Sequence, residues 1–198
     1  FRNWQSRYSA PAPTEKTNTP DLIATPDENA LRLTFNRPET RNAIDVPMRD
    51  ALCEALTLAV IDPSTETIHL TGSGAVFSTG GEVGEFGSVS DPATAHWIRS
   101  LRLPAWHLAR LTKPLHVHVN GAAIGAGAEI AAYGSRVTAS PKAWFQLPEL
   151  KYGLIPGAGG TASLPRRIGR QRTAYMALSM DKINAKTALE WGLIDEII

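Results

Sequence analysis

The first regular pattern along the chain is a pair of short apolar segments separated by turn-forming residues. An apolar stretch at residues 22–24 is followed by Pro, Asp, Glu and Asn at 26–29, and residues 31–35 then alternate large apolar with polar side chains. A period of two is typical of a strand that is buried on one face. The pattern predicts an opening β-hairpin.

Helical spacing appears in two other segments. Apolar residues recur at intervals of three and four over residues 48–59, with Asp45 as a candidate N-cap and Asp62 as a stop. Close to the end of the sequence, Asn184 is a candidate cap for a helix over residues 185–191. We expect amphipathic helices at both positions.

Two further strands are predicted at residues 67–70 and 115–119. Each runs into a glycine-containing turn that is followed by small residues. The order of strand, glycine loop and helix therefore repeats along the chain. This order predicts an α/β fold, with one domain over residues 21–198 after a Pro- and Thr-rich arm or linker at residues 1–20.

Composition narrows the class of protein. The 198 residues are 43% hydrophobic, enough for one well-packed domain, and 20 basic side chains nearly cancel 19 acidic ones. Such a balance argues against nucleic acid or an anionic membrane as the partner. The single cysteine, Cys53, rules out an internal disulfide, and no apolar run approaches the roughly 20 residues that cross a bilayer. We expect a soluble, cytoplasmic protein.

Two glycine-rich segments are candidates for ligand binding. Residues 76–83 and 119–129 place small side chains after strands, which lets backbone N–H groups approach a ligand atom closely. Two such donors would form an oxyanion hole. Either segment alone is also compatible with an ordinary strand exit, so the interpretation depends on their occurring together.

Several motifs, in this order, resemble those of the crotonase (enoyl-CoA hydratase/isomerase) superfamily, and most of all those of an enoyl-CoA hydratase. They are Asn36-Arg37-Pro38 with Asn42-Ala43-Ile44, Leu70-Thr71-Gly72 with Val76 to Val83, Val119-Asn120-Gly121 to Glu129, and Pro148-Glu149 to Gly160-Thr161. The resemblance covers residues 22–198. It implies a crotonase-like spiral of ββα units and an acyl-CoA substrate. It implies no metal or redox cofactor, because coenzyme A is part of the substrate.

The resemblance also assigns roles to single residues. The backbone N–H groups of Gly81 and Ala126 match the two oxyanion donors, and Glu129 and Glu149 match the two catalytic carboxylates of the hydratases. The residues implied to bind substrate are Gly81, Glu82, Val83, Gly84 and Ala126. This sequence has Gly-Gly-Glu where the family more often has Gly-Ala-Asp, and Gly-Ala-Gly where it often has three glycines. Both differences keep the backbone donors.

The chemistry explains why these groups are needed. Addition of water to a conjugated enoyl thioester builds negative charge on the carbonyl oxygen, which fixed N–H dipoles stabilise. The resemblance gives water activation mainly to Glu129 and proton transfer at the α-carbon to Glu149. Close carboxyls raise each other's pKa, which helps one of them to keep its proton.

Hydration is therefore the first functional hypothesis. A Δ3,Δ2-enoyl-CoA isomerase is the nearest alternative, because it shares the oxyanion hole but commonly needs one carboxylate. Other family members hydrolyse, decarboxylate or cleave C–C bonds, and a catalytically silent binding homologue is a further alternative. The resemblance also implies a homotrimer or hexamer, built with C-terminal helices that the sequence as given does not contain.

Other candidate residues have simpler interpretations. His116 and His118 share one face of a strand but no third metal ligand is evident in the sequence. Ser78 lacks a defensible base and is interpreted as structural. Cys53 is interpreted as a packing thiol within the amphipathic helix. Two further groups have alternatives that the sequence leaves open: Trp97 and Trp106 with His96 and His107 as acyl-pocket or helix-packing residues, and Arg37 and Arg41 as coenzyme A phosphate ligands or surface charges.

Overall fold

The computed structural model describes residues 20–89 and 91–198, so the arm predicted at residues 1–20 lies outside the described residues except for Pro20. The strands of the described part are β1 (Leu22–Asp27), β2 (Ala30–Phe35), β3 (Thr67–Gly72), β4 (Val76–Ser78), β5 (Leu115–Val119), β6 (Ala122–Ile124), β7 (Arg136–Ala139), β8 (Trp144–Gln146), β9 (Ile183–Asn184) and β10 (Glu196–Ile197). The α-helices are α1 (Val46–Ile61), α2 (Pro92–Leu101), α3 (Pro104–Ala109), α4 (Ala126–Ala131), α5 (Gly160–Ser179) and α6 (Ala185–Trp191). Short 3-10 helices span Pro38–Thr40, Val83–Glu85 and Glu149–Tyr152.

The strands form two sheets. The larger has the order β1-β2-β3-β5-β7-β10 and the smaller the order β4-β6-β8-β9. The predicted opening hairpin is confirmed, because β1 and β2 pair antiparallel with Leu22 opposite Phe35. The remaining pairs of the large sheet are parallel.

A strand-strand-helix unit repeats along the chain, and this repeat positions the candidate site. The first strand of each unit, β3, β5 or β7, joins the large sheet, and the next, β4, β6 or β8, joins the small one. A helix follows each pair, which confirms the expected α/β fold. Because β4, β6 and β8 are parallel neighbours, their C-terminal ends lie at one edge of the small sheet. The segments that follow these ends therefore converge there.

The predicted helices are confirmed together with their caps. Asp45 Oδ1 accepts a hydrogen bond from Met48 N at 3.0 Å at the start of α1. At the start of α6, Asn184 Oδ1 accepts one from Thr187 N at 2.9 Å. Each cap satisfies a backbone donor that has no partner within the helix. Cys53 lies buried in α1, and burial raises the pKa of its thiol to about 11, in keeping with a packing role.

The core lies where the two sheets and helix α1 meet. Phe35 of β2, Phe77 of β4 and Phe145 of β8 are fully buried, and the first two rings pack edge to face with centroids 5.5 Å apart. This packing fixes the small sheet, and hence the site at its edge, against the large one. No helix within the described residues combines the length and apolar character needed to cross a bilayer.

Candidate active site

The first glycine segment is fixed by Ser78, the last residue of β4. Its hydroxyl is fully buried, donates to Asn42 O at 2.7 Å and accepts from Gly80 N at 3.1 Å. The first bond joins the segment to the loop before α1, and the second fixes the turn within the segment. The side chain therefore has the structural role expected from the sequence.

Gly81 forms an isolated parallel bridge with Ile44, and the geometry of this bridge leaves its own N–H unused. Ile44 N donates to Gly80 O at 2.8 Å, and Glu82 N donates to Ile44 O at 2.9 Å. The pairing therefore uses the groups on either side of Gly81, whose own N–H points the other way. Across the described part of the chain, this N–H has no protein acceptor.

Beyond Gly81 the chain forms the 3-10 helix Val83–Glu85, an element that the sequence pattern did not predict. The Glu82 side chain begins it by accepting from Gly84 N at 3.3 Å. A Cβ atom on Gly81 would lie 3.1 Å from the ring of Phe86, a close neighbour that the motif did not indicate. Val83 and Gly84 are partly exposed beside this turn.

The second glycine segment meets the first. Gly125 has φ +51° and ψ −123°, a conformation that glycine adopts most easily, and its N–H donates to Gln146 O at 2.9 Å. Ala126 follows as the first residue of α4, where the helix offers its N–H no partner. A Cβ atom on Gly80 would lie only 3.2 Å from Ala126 N. The two segments are thus neighbours, with the candidate donors of both at the same edge.

Glu129 is buried on α4, and its carboxylate is held by the loop before α5. Its Oε2 accepts hydrogen bonds from Ala158 N at 2.8 Å and Gly160 N at 2.5 Å, while Ser163 Oγ donates to its backbone carbonyl at 2.8 Å. Burial raises the pKa of this carboxyl, and the two backbone donors oppose that rise. The donors favour the ionised form in a place where desolvation alone would keep it neutral.

Glu149 opens the third 3-10 helix, in a different environment. Its Oε2 is buried and has no hydrogen-bond partner among the described residues. Burial, with a smaller contribution from the negative charge of Glu129, raises its pKa to about 7. The two carboxyls therefore differ as a base and an acid would: Glu129 Oε2 receives two backbone hydrogen bonds, whereas Glu149 Oε2 receives none in the described residues.

The loop between Glu149 and α5 brings two residues to the site that the sequence did not indicate. A guanidinium N–H of Arg99, on α2, donates to Gly157 O, and the hydroxyl of Tyr133 donates to Gly159 O at 3.2 Å. Both side chains bond to backbone carbonyls, and such contacts leave no recognisable motif. The signal in the sequence for close neighbours of this loop was its glycine spacing. A Cβ at Gly157 would collide with Arg99, and one at Gly159 would collide with Tyr133.

The tryptophans of this region are surface residues of the described chain. Trp97 on α2 is 65% exposed and Trp106 on α3 is 48% exposed. The guanidinium of Arg110 stacks 3.6 Å from the centroid of the Trp106 ring. His107 approaches Thr57 of α1, with 3.3 Å between Nδ1 and Oγ1, so α3 packs on α1 through this contact.

The two arginines of the first motif have different surroundings. Arg37 forms an ion pair with Asp45 at 2.9 Å and donates to Ala43 O at 2.8 Å, which indicates a structural role. Arg41 instead lines a pocket of about 410 Å³ on the outer face of the small sheet. The other lining residues include Thr79, two positions before Gly81, together with Lys142 and Trp144.

His116 and His118 do not form part of a cation site within the described chain. The ring of His116 packs edge to face on His69 with centroids 5.2 Å apart, and His118 Nδ1 lies 3.0 Å from Thr138 Oγ1. No cluster of three His, Cys, Asp or Glu side chains suited to a metal ion occurs in residues 20–89 and 91–198.

Comparison with known sequences gives a consistent assignment. The sequence model of the family described as enoyl-CoA hydratase/isomerase matches residues 26–198. The chain is 35% identical over 178 residues to the 2,3-dehydroadipyl-CoA hydratase of Escherichia coli, covering 89% of this chain and 69% of that protein. It is 36% identical over 164 residues to the mitochondrial enoyl-CoA hydratase of Pongo abelii, covering 82% and 56% respectively. The chain thus spans a little over half to about two thirds of the length of these relatives.

A third relative and a solved structure extend this likeness. The 1,2-epoxyphenylacetyl-CoA isomerase of Escherichia coli is 33% identical, covering 89% of this chain and 69% of that protein. The crystal structure of an enoyl-CoA hydratase/isomerase from Mycobacterium paratuberculosis superposes with a TM-score of 0.84 at 27% identity, covering 91% of this chain and 73% of that one. These likenesses confirm the crotonase-like fold class that the motifs implied.

Proposed function

Because this chain belongs to the enoyl-CoA hydratase/isomerase family, we propose that it is an enoyl-CoA hydratase that adds water across the 2,3-double bond of an enoyl-CoA thioester. The observation that carries the proposal is the contrast between Glu129 and Glu149. Oε2 of Glu129 receives two backbone hydrogen bonds, and Oε2 of Glu149 is buried without a partner in the described residues. Hydration needs a base and an acid at one site, and this contrast supports such a division.

In the proposed mechanism, ionised Glu129 takes a proton from the water that attacks the β-carbon. Neutral Glu149 delivers a proton to the α-carbon. A pKa of about 7 suits Glu149 to this task, because a group titrating near the operating pH both donates and recovers a proton readily.

The thioester oxygen would lie between the N–H groups of Gly81 and Ala126. Support comes from the unused N–H of Gly81 and from the approach of Gly80 to Ala126 N. Fixed donors stabilise the charge that develops on this oxygen in the transition state, and one such donor is typically worth on the order of 10²–10³ in rate.

The coenzyme A part of the substrate would follow the first glycine segment. Gly81, Glu82, Val83 and Gly84 would contact it along their backbone, with Ala126 opposite. Arg41 is a cation in the pocket that Thr79 also lines, and it would attract the phosphates.

Double-bond isomerisation is the second candidate function. A single buried carboxyl with a pKa of about 7, such as Glu149, is suited to moving a proton between two carbons. The relatives include proteins named as hydratases and proteins named as isomerases, among them a trans-2-decenoyl-[acyl-carrier-protein] isomerase. Hydration is preferred because Glu129 would have no role in a one-carboxylate mechanism.

A substrate screen tests the proposal. Purified protein is mixed with 2-enoyl-CoA and 3-enoyl-CoA thioesters of graded chain length, and the absorbance of the conjugated thioester is followed. A hydratase removes the absorbance of the 2-enoyl series and forms the 3-hydroxyacyl product. An isomerase creates absorbance from the 3-enoyl series and leaves the 2-enoyl series unhydrated.

The expected assembly is also a proposal. The family resemblance supports a homotrimer or a hexamer of two trimers. Light scattering of the protein at several concentrations, including those used in the activity assay, gives its mass. A monomer that remains active at high dilution would contradict this expectation.

A further inference from the structure

The two peptide groups that bind Glu129 are themselves hydrogen-bonded on their opposite sides. Gly157 O and Ala158 N–H belong to one peptide group, which accepts from Arg99 and donates to Glu129 Oε2. Gly159 O and Gly160 N–H belong to another, which accepts from Tyr133 and donates to the same oxygen. In a trans peptide the carbonyl and the N–H point in opposite directions, so each group links a side chain on one side to Glu129 on the other.

From this geometry we propose that Arg99 and Tyr133 are positioning residues for Glu129, which act through the Gly157–Ala158 and Gly159–Gly160 peptide groups. Each fixes the orientation of a peptide whose N–H holds the carboxylate. Each also polarises that peptide, because a donor at the carbonyl makes the N–H on the other side a stronger donor. The inference builds on the proposed function in that it assigns Glu129 the role of base.

The glycine spacing of the loop supports this arrangement independently. A Cβ on Gly159 would lie 2.5 Å from the hydroxyl of Tyr133, and one on Gly160 would lie 2.5 Å from Cγ of Glu129. A Cβ on Gly157 would overlap the guanidinium of Arg99. At positions 159 and 160 the loop therefore approaches Tyr133 and Glu129 more closely than any residue but glycine allows, whereas at position 157 the Arg99 guanidinium could move aside.

The charges around Glu129 set the direction of the effect. Burial raises the pKa of Glu129, and the positive charge of Arg99 on α2 is among the effects that oppose this rise. Burial and then the charge of Glu129 raise the pKa of Tyr133, while Arg166 on α5 opposes this rise. Tyr133 therefore keeps its proton and remains a donor.

Two other titratable groups lie on elements near the site. Glu149, on the third 3-10 helix, is the acidic neighbour whose pKa the charge of Glu129 raises. His107 of α3 is engaged with Thr57 of α1. Glu149 and His107 stay unchanged in the variants proposed below. Removing the donor to the carbonyl of Gly157 or Gly159 then weakens the stabilisation of ionised Glu129, so the pKa of Glu129 rises.

The test is an NMR titration of the Glu129 side-chain carboxyl in glutamate-labelled protein, with the signal assigned by its loss in Glu129→Gln. Tyr133→Phe removes one hydroxyl at nearly constant volume, and Arg99→Met removes the other donor with its charge. Both are expected to shift the Glu129 titration to higher pH. Arg99→Lys, which keeps the charge, is expected to shift it less than Arg99→Met.

Matched controls separate the effects of the Arg99–Gly157 and Tyr133–Gly159 hydrogen bonds from the general effects of losing a guanidinium or a hydroxyl. Tyr175→Phe deletes a hydroxyl that donates to Asp181 at 2.6 Å, and Arg102→Met deletes a guanidinium 3.8 Å from Glu54. Neither is expected to move the titration. In the activity assay, Tyr133→Phe is expected to lower kcat/KM about two- to tenfold on the acid side of the profile and little on the alkaline side.

An unchanged Glu129 titration in both Tyr133→Phe and Arg99→Met would overturn the inference. This holds even if both variants melted at lower temperature, because a loss of stability without a change in the Glu129 titration indicates a structural role alone. The titration does not depend on turnover. If the Glu129 titration shifts as expected while the native protein hydrates no 2-enoyl-CoA, the proposed function fails. The positioning of Glu129 by Arg99 and Tyr133 then still stands.

Discussion

Glu149 Oε1 lies 2.8 Å from the position that a Cβ atom on Gly125 would occupy. The start of α4 and the third 3-10 helix are therefore in contact, and the gap between them has room for the hydrogen atom of a glycine but not for a methyl group. Gly125 also has φ +51°, in the region that L side chains rarely adopt. One residue thus allows both the backbone turn before Ala126 and the position of the Glu149 carboxyl.

The first prediction concerns Gly125→Ala. The new methyl group would displace the Glu149 carboxyl, and the backbone strain would cost on the order of 1–3 kcal/mol in the free energy of unfolding. We expect turnover of a 2-enoyl-CoA to fall by more than tenfold, as misplacement of a reacting group does. Steady-state kinetics and denaturant unfolding measure the two effects.

The matched control is Gly169→Ala. Gly169 has φ +78° within α5, and no atom lies within 4 Å of its hypothetical Cβ. This variant carries backbone strain without the contact to a carboxyl, so its stability should fall while its turnover is kept. Equal loss of turnover in both variants would show that strain alone explains the effect at position 125.

A second prediction tests the oxyanion donor at Gly81. Gly81→Pro removes an N–H that bonds no protein acceptor in the described residues, whereas Glu82→Pro removes one that donates to Ile44 O at 2.9 Å. We expect Gly81→Pro to lower kcat on the order of 10²–10³ with a smaller change in acyl-CoA affinity. Glu82→Pro should mainly lower the melting temperature. Normal turnover in Gly81→Pro would exclude Gly81 as the donor.

The third prediction is a bell-shaped pH profile. Ionised Glu129 and neutral Glu149 are the proposed active forms, so kcat/KM should fall on the acid side as Glu129 gains a proton. It should fall on the alkaline side as Glu149, with a pKa of about 7, loses one. Glu149→Asp would retain a titrating alkaline limb, and Glu149→Gln would not. A profile that is flat through neutrality would contradict the assignment of the acid.

The raised pKa of Glu149 has a counterpart in stability, which gives a fourth prediction. Its pKa in the folded protein, about 7, lies above its ordinary value of 4.5, so the fold favours the neutral carboxyl. The stability that this preference contributes is present below 4.5 and is lost as the pH rises through about 7. Denaturant unfolding of the native protein and of Glu149→Gln across this range should show the native protein losing stability relative to the variant. A constant difference would argue against the raised pKa.

Much of the fold was readable from local sequence because the signals are local. Asp45 and Asn184 bond to backbone N–H groups three residues further on, so their helices could be predicted together with their caps. The alternation over residues 31–35 gave the hairpin strand. The 3-10 helix after Gly81 was missed because the cap at Glu82 and the packing of Phe86 have no periodic signature.

The candidate site was only partly readable, for a related reason. Glu129 and Glu149 stand in motifs, and their spacing along the chain marks them. Arg99 on α2 and Tyr133, in the turn directly after α4, bond to the carbonyls of Gly157 and Gly159. Such contacts depend on tertiary packing, and their trace in the sequence is the glycine spacing of residues 157–160, which does not identify the side chains that contact it. The absence of a hydrogen-bond partner for Glu149 Oε2 within the described residues was likewise visible only after folding.

The most direct test of the two-carboxylate hydratase is the rate at which Glu129→Gln hydrates a 2-enoyl-CoA that the native protein converts, measured beside Glu149→Gln. The substitution preserves side-chain size and removes the proposed base. The account predicts that Glu129→Gln lowers the hydration rate on the order of 10²–10⁴ and that Glu149→Gln does so as well. If Glu129→Gln hydrated the 2-enoyl-CoA at the native rate, Glu129 would not be the base and the two-carboxylate mechanism would be contradicted.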